Sequence, residues 1–496
     1  MLDRLATVLR ADPLRPAVLT ATALTGRSRV RATTGELTNL TDRYTAALAR
    51  HGLAAGDTLG LAVRPGPRSL AVLLAAYHLG VRVAVLDPTA GPDVLTARLA
   101  VAEPALVLAD SAAQAVAGWA GPLARRAHLA LPDLTRIAPV RTVGRRLPGC
   151  APTLPAGVGP LPAAFDGDGD AVIVFTSGTT SRPRAVVHTR AGLSAGMRAV
   201  TGLVGPQPDV PVLGGTFFVL VPALAAGAPV ALPARSPSLL ARQLTRLRPQ
   251  ATYLTPPQLR AVLEHSPRLT GQVFSGSAPV SAALLGRVRR AGADRAYGVY
   301  ALTELFPAAA VEEADKRGYA ADGDLVGRPL PGVVARVDHT GQVRLSGPGQ
   351  ADRYLGEPPM AEVATGDVGR LDGDRLVLAG RCKDMVLRAA ENIYPGLYEP
   401  ALHVPGVALA VLVGVPVDDG DEQLVAVVQP EPGADRARLR VALRPVLDRM
   451  GSARPDRVVF ARVPLAGRSR KPDRQAAAQL AAQVTARAAA RVAGDG

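Results

Sequence analysis

Short apolar runs and amphipathic segments alternate along most of this chain. Leu37 to His51 carries a helical stripe, Thr58 to Val63 reads as a strand, and Arg68 to Leu79 is helical again. The runs Val81 to Leu86 and Ala105 to Ala109 follow, with another helical segment between them. Strands separated by helices predict an α/β fold of layered sheets, because each helix covers a face of the sheet that its flanking strands build. Leu147 to Pro162 (LPGCAPTLPAGVGPLP) reads as an irregular connector, and the alternation resumes from Ala171 to about residue 310. The most apolar stretch, Phe217 to Ala234, is broken by Pro222, Pro229 and Pro233, so it predicts a buried helix, a turn and a buried strand rather than a membrane span.

From Val326 the texture changes to short strands with Gly, Pro and Asp turns, which predicts a β-rich subdomain. After Gly380 mixed helix and strand patterns return: Ala408 to Val415 and Leu424 to Gln429 as strands, Asp435 to Met450 as a helix. With 496 residues the chain exceeds what one core usually supports. A large domain followed by a smaller α+β one is expected, with the boundary near Gly380 to Asp384.

The composition excludes several classes. Apolar residues make up 48% and charged ones 20%, enough for packed cores. The formal charge of +15 is spread over scattered arginines, and aromatic residues are only 3%, so neither a basic stripe nor a stacking platform for nucleic acid exists. Cys150 and Cys382 make neither a disulfide framework nor a zinc-ligand spacing. The N-terminus lacks the apolar core of a signal peptide, and a cytoplasmic location is expected. Of 57 basic residues only Lys316, Lys383 and Lys471 are lysine, so each is a position where a compact ammonium on a flexible stem is worth examining.

The strongest local signal is AVIVFTSGTTSRPRAVVHT, residues 171 to 189. A β-branched run, Ala171 to Phe175, leads into Thr176, Ser177, Gly178, Thr179, Thr180 and Ser181, and a second run, Ala185 to Thr189, leads away. Gly178 lets the backbone close around an anion, while amides and hydroxyls donate to phosphate oxygens. Arg184 adds a fixed positive charge. A Walker A loop is excluded, because no lysine lies in this half of the chain.

This segment resembles the phosphate-binding signature of the adenylate-forming superfamily, which includes acyl-CoA synthetases, peptide-synthetase adenylation domains and firefly luciferase. Ser181, Arg184 and Ala185 stand where that signature has glycine, lysine and glycine. Further resemblances follow in the family's order. Val273 to Val280 (VFSGSAPV) is similar to the strand and turn lining the adenine and acyl pocket, which assigns Ser277 and Ala278 to the nucleotide site. Tyr297 to Glu304 (YGVYALTE) is similar to the next motif. The resemblance implies that Tyr300 stacks on adenine, Thr303 meets the α-phosphate region and Glu304 binds Mg²⁺ together with Thr176. Thr365, Gly366 and Asp367 are similar to the motif whose aspartate accepts from the ribose hydroxyls. In GRCKDMVLRAAENIYPGLYE, residues 380 to 399, Arg381 corresponds to a ribose or phosphate contact and Lys383 to the hinge. Asn392 to Pro395 and Glu399 match the family, whereas Ala389 and Ala390 replace glycines. Finally, Pro464 to Arg474 is similar to the terminal motif, with Lys471 at the position of the catalytic lysine.

The resemblance implies residues 1–380 as an ATP- and acid-binding domain and 381–496 as a mobile C-terminal domain that turns about Lys383. It implies an acid-thiol ligase: ATP and Mg²⁺ activate a carboxylic acid as acyl-AMP, and the acyl group passes to coenzyme A or to the phosphopantetheine of an acyl carrier protein. Leu213 to Val219 lacks the aspartate with which amino-acid-activating members hold an α-amine, so a simple acid is expected. Relatives with a different second step, the β-lactone synthetases and nitrite-activating diazotases, are the alternative, as is a non-catalytic ATP- or AMP-binding module.

Overall fold

The structure is a computed structural model that describes residues 1–22, 25–86, 92–117, 134, 138–155, 157, 160–175, 184–381, 384–388, 391–417, 422–450, 453–466 and 471–494. Among these, strands form a seven-stranded and a thirteen-stranded sheet, a three-stranded sheet near the C-terminus and two hairpins. The expected mixed α/β architecture is what the chain adopts.

In the seven-stranded sheet the strands Val140–Val143, Leu106–Asp110, Thr58–Ala62, Arg82–Val85 and Asp170–Phe175 run parallel. Ala185–Thr189 and the two-residue strand Arg353–Tyr354 close the sheet in antiparallel fashion. Helices Thr34–Arg50 and Pro67–Leu79 stand where the sequence pattern places them. The first begins with a capping box, Thr33 accepting from the Glu36 amide while the Glu36 carboxylate accepts from that of Thr33. An ionic clasp spans the sheet: Asp170 accepts from Arg82 at 2.8 Å and from Arg353 at 2.8 and 3.0 Å.

The thirteen-stranded sheet has a parallel part made of Pro16–Ala21, Val230–Leu232, Val212–Leu213, Ala251–Tyr253, Gln272–Gly276 and Arg295–Tyr300. It continues into antiparallel strands, Ala309–Glu312, Asp324–Pro329, Arg375–Arg381, Val363–Asp372, Gln342–Ser346 and Val334–Val337, which are the β-rich part expected from Val326 onward. Helix Phe217–Ala225 and strand Val230–Leu232 bear out the buried helix, turn and strand. The helix is apolar on nearly every side, and Leu220 to Ala225 are buried. One core cluster joins both sheets, with Val172 and Met197 beside Leu224, Phe274 and Phe306. Such burial stabilises by roughly 25 cal/mol per Å² of apolar area removed from water.

The C-terminal residues supply cores of their own. Leu402, Leu412, Leu424, Ala426, Leu439 and Leu443 pack together on one face of the sheet Val407–Pro416, Glu422–Pro430 and Arg457–Phe460. Val411, Val413, Val425, Val427, Ala477 and Ala481 cover the other face, where helix Arg474–Gly494 lies. The alternation of the two sets along each strand is the period-2 pattern of a sheet buried on both sides. Among the described residues no helix is long and apolar enough to cross a membrane.

Candidate nucleotide site

Strands Gln272–Gly276 and Arg295–Tyr300 run side by side and parallel, with Gly276 opposite Val299, and both end toward one region. Crevices at the carboxyl ends of parallel strands are where α/β sheets hold ligands. A side chain at Gly276 would meet the Val299 carbonyl at 2.7 Å, so only glycine fits that strand end. Ser277 follows with φ +68°, the left-handed region that costs a non-glycine residue about 1 kcal/mol or more. Its Oγ shares a 2.9 Å hydrogen bond with the hydroxyl of Tyr253, whose pKa burial raises. Ala278, next in the turn, is half-buried.

Tyr300, Asp367 and Arg381 form one connected group. The Tyr300 hydroxyl donates to Asp367 Oδ2 at 2.5 Å, and Arg381 Nε donates to Oδ1 at 2.8 Å. Asp367 is buried on the long strand Val363–Asp372, directly opposite Arg381 on its neighbour. Burial, then the Asp367 charge and its hydrogen bond, push the Tyr300 pKa well above its usual range, so the phenol stays a proton donor.

A second group surrounds Glu304. Its Oε1 accepts from the Tyr354 hydroxyl at 2.8 Å, and the Arg184 guanidinium lies 5.1 Å from the centre of the same tyrosine ring. Burial and the Glu304 charge raise the Tyr354 pKa to about 12. Between these groups Thr303 is fixed through its backbone, its carbonyl accepting from His188 Nε2 at 2.8 Å. Because a carbonyl only accepts, Nε2 carries the proton. Nδ1 is buried and finds no partner among the described residues. Burial, opposed only by the bond to Thr303, lowers the His188 pKa to about 4.

Several residues singled out from sequence lie outside the described residues: Thr176, Ser177, Gly178, Thr179, Thr180 and Ser181 of the phosphate loop, Lys383 at the expected hinge, and Ala389 and Ala390. The flanks of the phosphate loop are described. Phe175 pairs with Ala185 across an antiparallel ladder, and Ala185 is buried. Lys471 stands in the two-residue strand Lys471–Pro472, paired with Leu465–Ala466. Three residues on, Arg474 donates to both Glu399 oxygens at 2.6 and 2.7 Å and pairs with Asp384 at 3.1 Å. Lys316 has a structural role, its buried ammonium pairing with Asp324 and donating to the Leu325 carbonyl.

The residues present fit a nucleotide with its magnesium ion. No group of three or more His, Cys, Asp or Glu among the described residues could hold a metal alone. Glu304 provides a single carboxylate whose Oε2 has no partner among the described residues, which suits magnesium completed by phosphate oxygens and water rather than a protein cage. Tyr354 and His188 were not legible as site residues, whereas Arg474 closes the terminal motif matched from sequence. Tyr354 sits in a strand of only two residues, too short for any periodicity to flag.

The profile of the AMP-binding enzyme family matches residues 10–355. An olefin β-lactone synthetase of Stenotrophomonas maltophilia is 28% identical over 467 residues, covering 81% of this chain and 82% of that protein. A feruloyl-CoA synthase of an Amycolatopsis species is 29% identical over 448 residues, covering 81% and 84%. Among solved structures, the amide bond synthetase McbA of Marinactinospora thermotolerans aligns over 97% of this chain and 99% of its own, with a TM-score of 0.77 at 25% identity. By name these three relatives make different products, a lactone, a thioester and an amide. What carries through is the common first step, and the chain belongs to the adenylate-forming AMP-binding enzyme family.

Proposed function

We propose that this enzyme activates a carboxylic acid as acyl-AMP and then transfers the acyl group to a thiol, that of coenzyme A or of a carrier protein's pantetheine. The observation that carries the reading is the convergence on Tyr300–Glu304 of two prepared groups, Tyr300 with Asp367 and Arg381, and Glu304 with Tyr354 and Arg184. ATP presents an aromatic base, a diol and a polyanion, and these groups offer a ring, a carboxylate acceptor and a cation beside a metal-ready carboxylate.

In this reading an oxygen of the substrate carboxylate attacks the α-phosphorus, and the bond to pyrophosphate breaks. Both reactants are anionic, so the chain's contribution is positioning and charge neutralisation. Arg184 and the loop 176–180 bind the phosphates, with Thr303 near the α-phosphate. Asp367 accepts from the ribose hydroxyls with Arg381 beside it, and Tyr300 stacks on adenine. Ser277 and Ala278 line the turn beside the base and the acid. Glu304, with Thr176, holds magnesium, which supplies neutralising charge to the phosphate oxygens when bound. Lys471 bridges the acid oxygen and the α-phosphate. Residues 381–496 then turn about Lys383 as a mobile domain, Lys471 leaves, and the thiol attacks the acyl carbon with AMP as leaving group.

One observation favours a second reading, a β-lactone-forming step: the similarity to olefin β-lactone synthetases over 81% of the chain. There the β-hydroxyl of the acyl-AMP replaces the thiol as nucleophile. A panel of aliphatic, aryl and β-hydroxy acids, assayed for pyrophosphate release and for AMP and acyl products with and without coenzyme A, separates them. Acid-dependent pyrophosphate release with a thioester formed only when thiol is present supports the ligase. AMP and lactone formed without thiol overturn it in favour of the second reading.

A further inference from the structure

Residues 350–355 lie between the two segments that carry the candidate phosphate and metal residues. On one side the Ala351 amide donates to the Glu304 carbonyl at 2.7 Å, beside a bridge between Leu305 and Gln350. On the other, Arg353 and Tyr354 pair with Val187 and Val186 on the strand that leaves the phosphate loop, and the Leu355 amide donates to the Ala185 carbonyl at 2.8 Å. Backbone pairing on both sides fixes where the Tyr354 side chain starts. Arg353, clamped by Asp170 and Asp352, holds the residue before it.

From this anchored position Tyr354 meets two opposite charges with two different parts of its ring. The hydroxyl donates to Glu304 Oε1 at 2.8 Å, and the ring faces the Arg184 guanidinium at 5.1 Å. An arginine and a glutamate this close to one side chain would, left to themselves, gain by pairing directly. Such a pair would consume the carboxylate oxygens and the guanidinium fork that a magnesium nucleotide needs. The tyrosine stands between the two charges: its hydroxyl donates to one Glu304 oxygen, and Arg184 meets both its ring and its hydroxyl. Glu304 Oε2 keeps no partner among the described residues and can meet a ligand.

We propose that Tyr354 is a positioning residue that presents Glu304 to the nucleotide's magnesium ion while keeping Arg184 out of a direct pair with it. The proposal rests on the roles read above for Glu304 and Arg184. It also gives a physical reason for arginine where the family has lysine: a planar guanidinium lies over an aromatic face, whereas a compact ammonium is more strongly hydrated and reaches past it.

The test is calorimetric titration of ATP into the full-length protein, once with excess Mg²⁺ and once with EDTA, for the parent, Tyr354→Phe and Glu304→Gln. Tyr354→Phe keeps the ring and removes the hydroxyl, with its donation to Glu304 and its contact with Arg184. Its ATP affinity should fall about tenfold with Mg²⁺ present, the size of one lost hydrogen bond to a charged group, and stay within about twofold in EDTA. A merely structural role would move both titrations together. In the Glu304→Gln background the same change should add little, and this cycle also covers the case in which Tyr354→Phe alone lowers stability. Equal losses with and without Mg²⁺, or an undiminished magnesium increment in Tyr354→Phe, would overturn the proposal while leaving the ligase reading standing. A parent protein whose ATP affinity gains nothing from Mg²⁺ would remove the Glu304 assignment and this proposal with it.

Discussion

Asp367 is held from both sides before any nucleotide arrives, by the Tyr300 hydroxyl at 2.5 Å on one oxygen and by Arg381 on the other. The aromatic ring read as the adenine platform and the carboxylate read as the ribose acceptor are therefore one rigid unit, joined across two strands of the same sheet. Asp367→Ala should strip both partners of their acceptor and weaken ATP binding by about 1 to 3 kcal/mol. Glu304→Gln should instead lower turnover more than binding of ATP measured without magnesium. Calorimetry and a pyrophosphate-release assay on both variants check this. Small and equal effects in the two would contradict the assignment.

Arg184 should act as a phosphate cation despite standing where the family has lysine. A guanidinium binds phosphate oxygens in a bidentate fork. Arg184→Lys should keep activity. Arg184→Ala should raise the Michaelis constant for ATP by about tenfold, the scale of one charge-assisted contact. An unchanged ATP dependence in the alanine variant would mean that the side chain serves only its contact with Tyr354.

His188 gives a pH dependence with a definite sign. Its pKa falls from 6.5 to about 4 in the fold, because burial disfavours the imidazolium and outweighs the bond to Thr303. The folded state binds this proton less readily than the unfolded chain. The contribution is therefore fully present above about pH 6.5 and is lost as pH falls toward 4, roughly 3 kcal/mol in all. His188→Gln, whose amide can donate to the Thr303 carbonyl, should lose less stability than the parent across that window. Denaturant unfolding at several pH values measures it, and parallel curves would contradict the account.

Much of the fold was legible because long periodic segments carry their own signal. Leu37 to His51, Ala171 to Phe175 and Asp435 to Met450 stand in the structure with ends shifted by only a few residues. The strands Pro16–Ala21 and Val212–Leu213 were not legible, since Pro and polar residues interrupt the first and two residues give the second no period. The site divides in the same way. Motif residues such as Tyr300, Glu304 and Asp367 announce themselves by spacing and resemblance. Tyr354 and His188 matter through partners distant in sequence, with Tyr354 fifty residues from Glu304 and His188 115 from Thr303. Only the tertiary fold brings those pairs together.

Arg474 ties the segment after Lys471 to Glu399 and Asp384 through a largely buried fork. Removing the arginine leaves Glu399 without its main counter-charge, because its remaining hydrogen bond comes from the Leu412 amide. Arg474→Ala should destabilise the C-terminal part by about 3 kcal/mol. Amide exchange of Val407–Pro416 should quicken relative to the strands of the seven-stranded sheet. Unchanged exchange there would show that the fork adds nothing to its stability.

We propose that Lys471 works in acid activation and not in thiol transfer. The direct measurement is both half-reactions in one variant: acid-dependent ATP–pyrophosphate exchange by Lys471→Ala, and transfer from a preformed acyl-AMP to thiol by the same protein. Exchange should fall by at least about a hundredfold, the scale of one preorganised charge at a reacting oxygen, with transfer near the parent rate. Exchange at the parent rate in Lys471→Ala would contradict it.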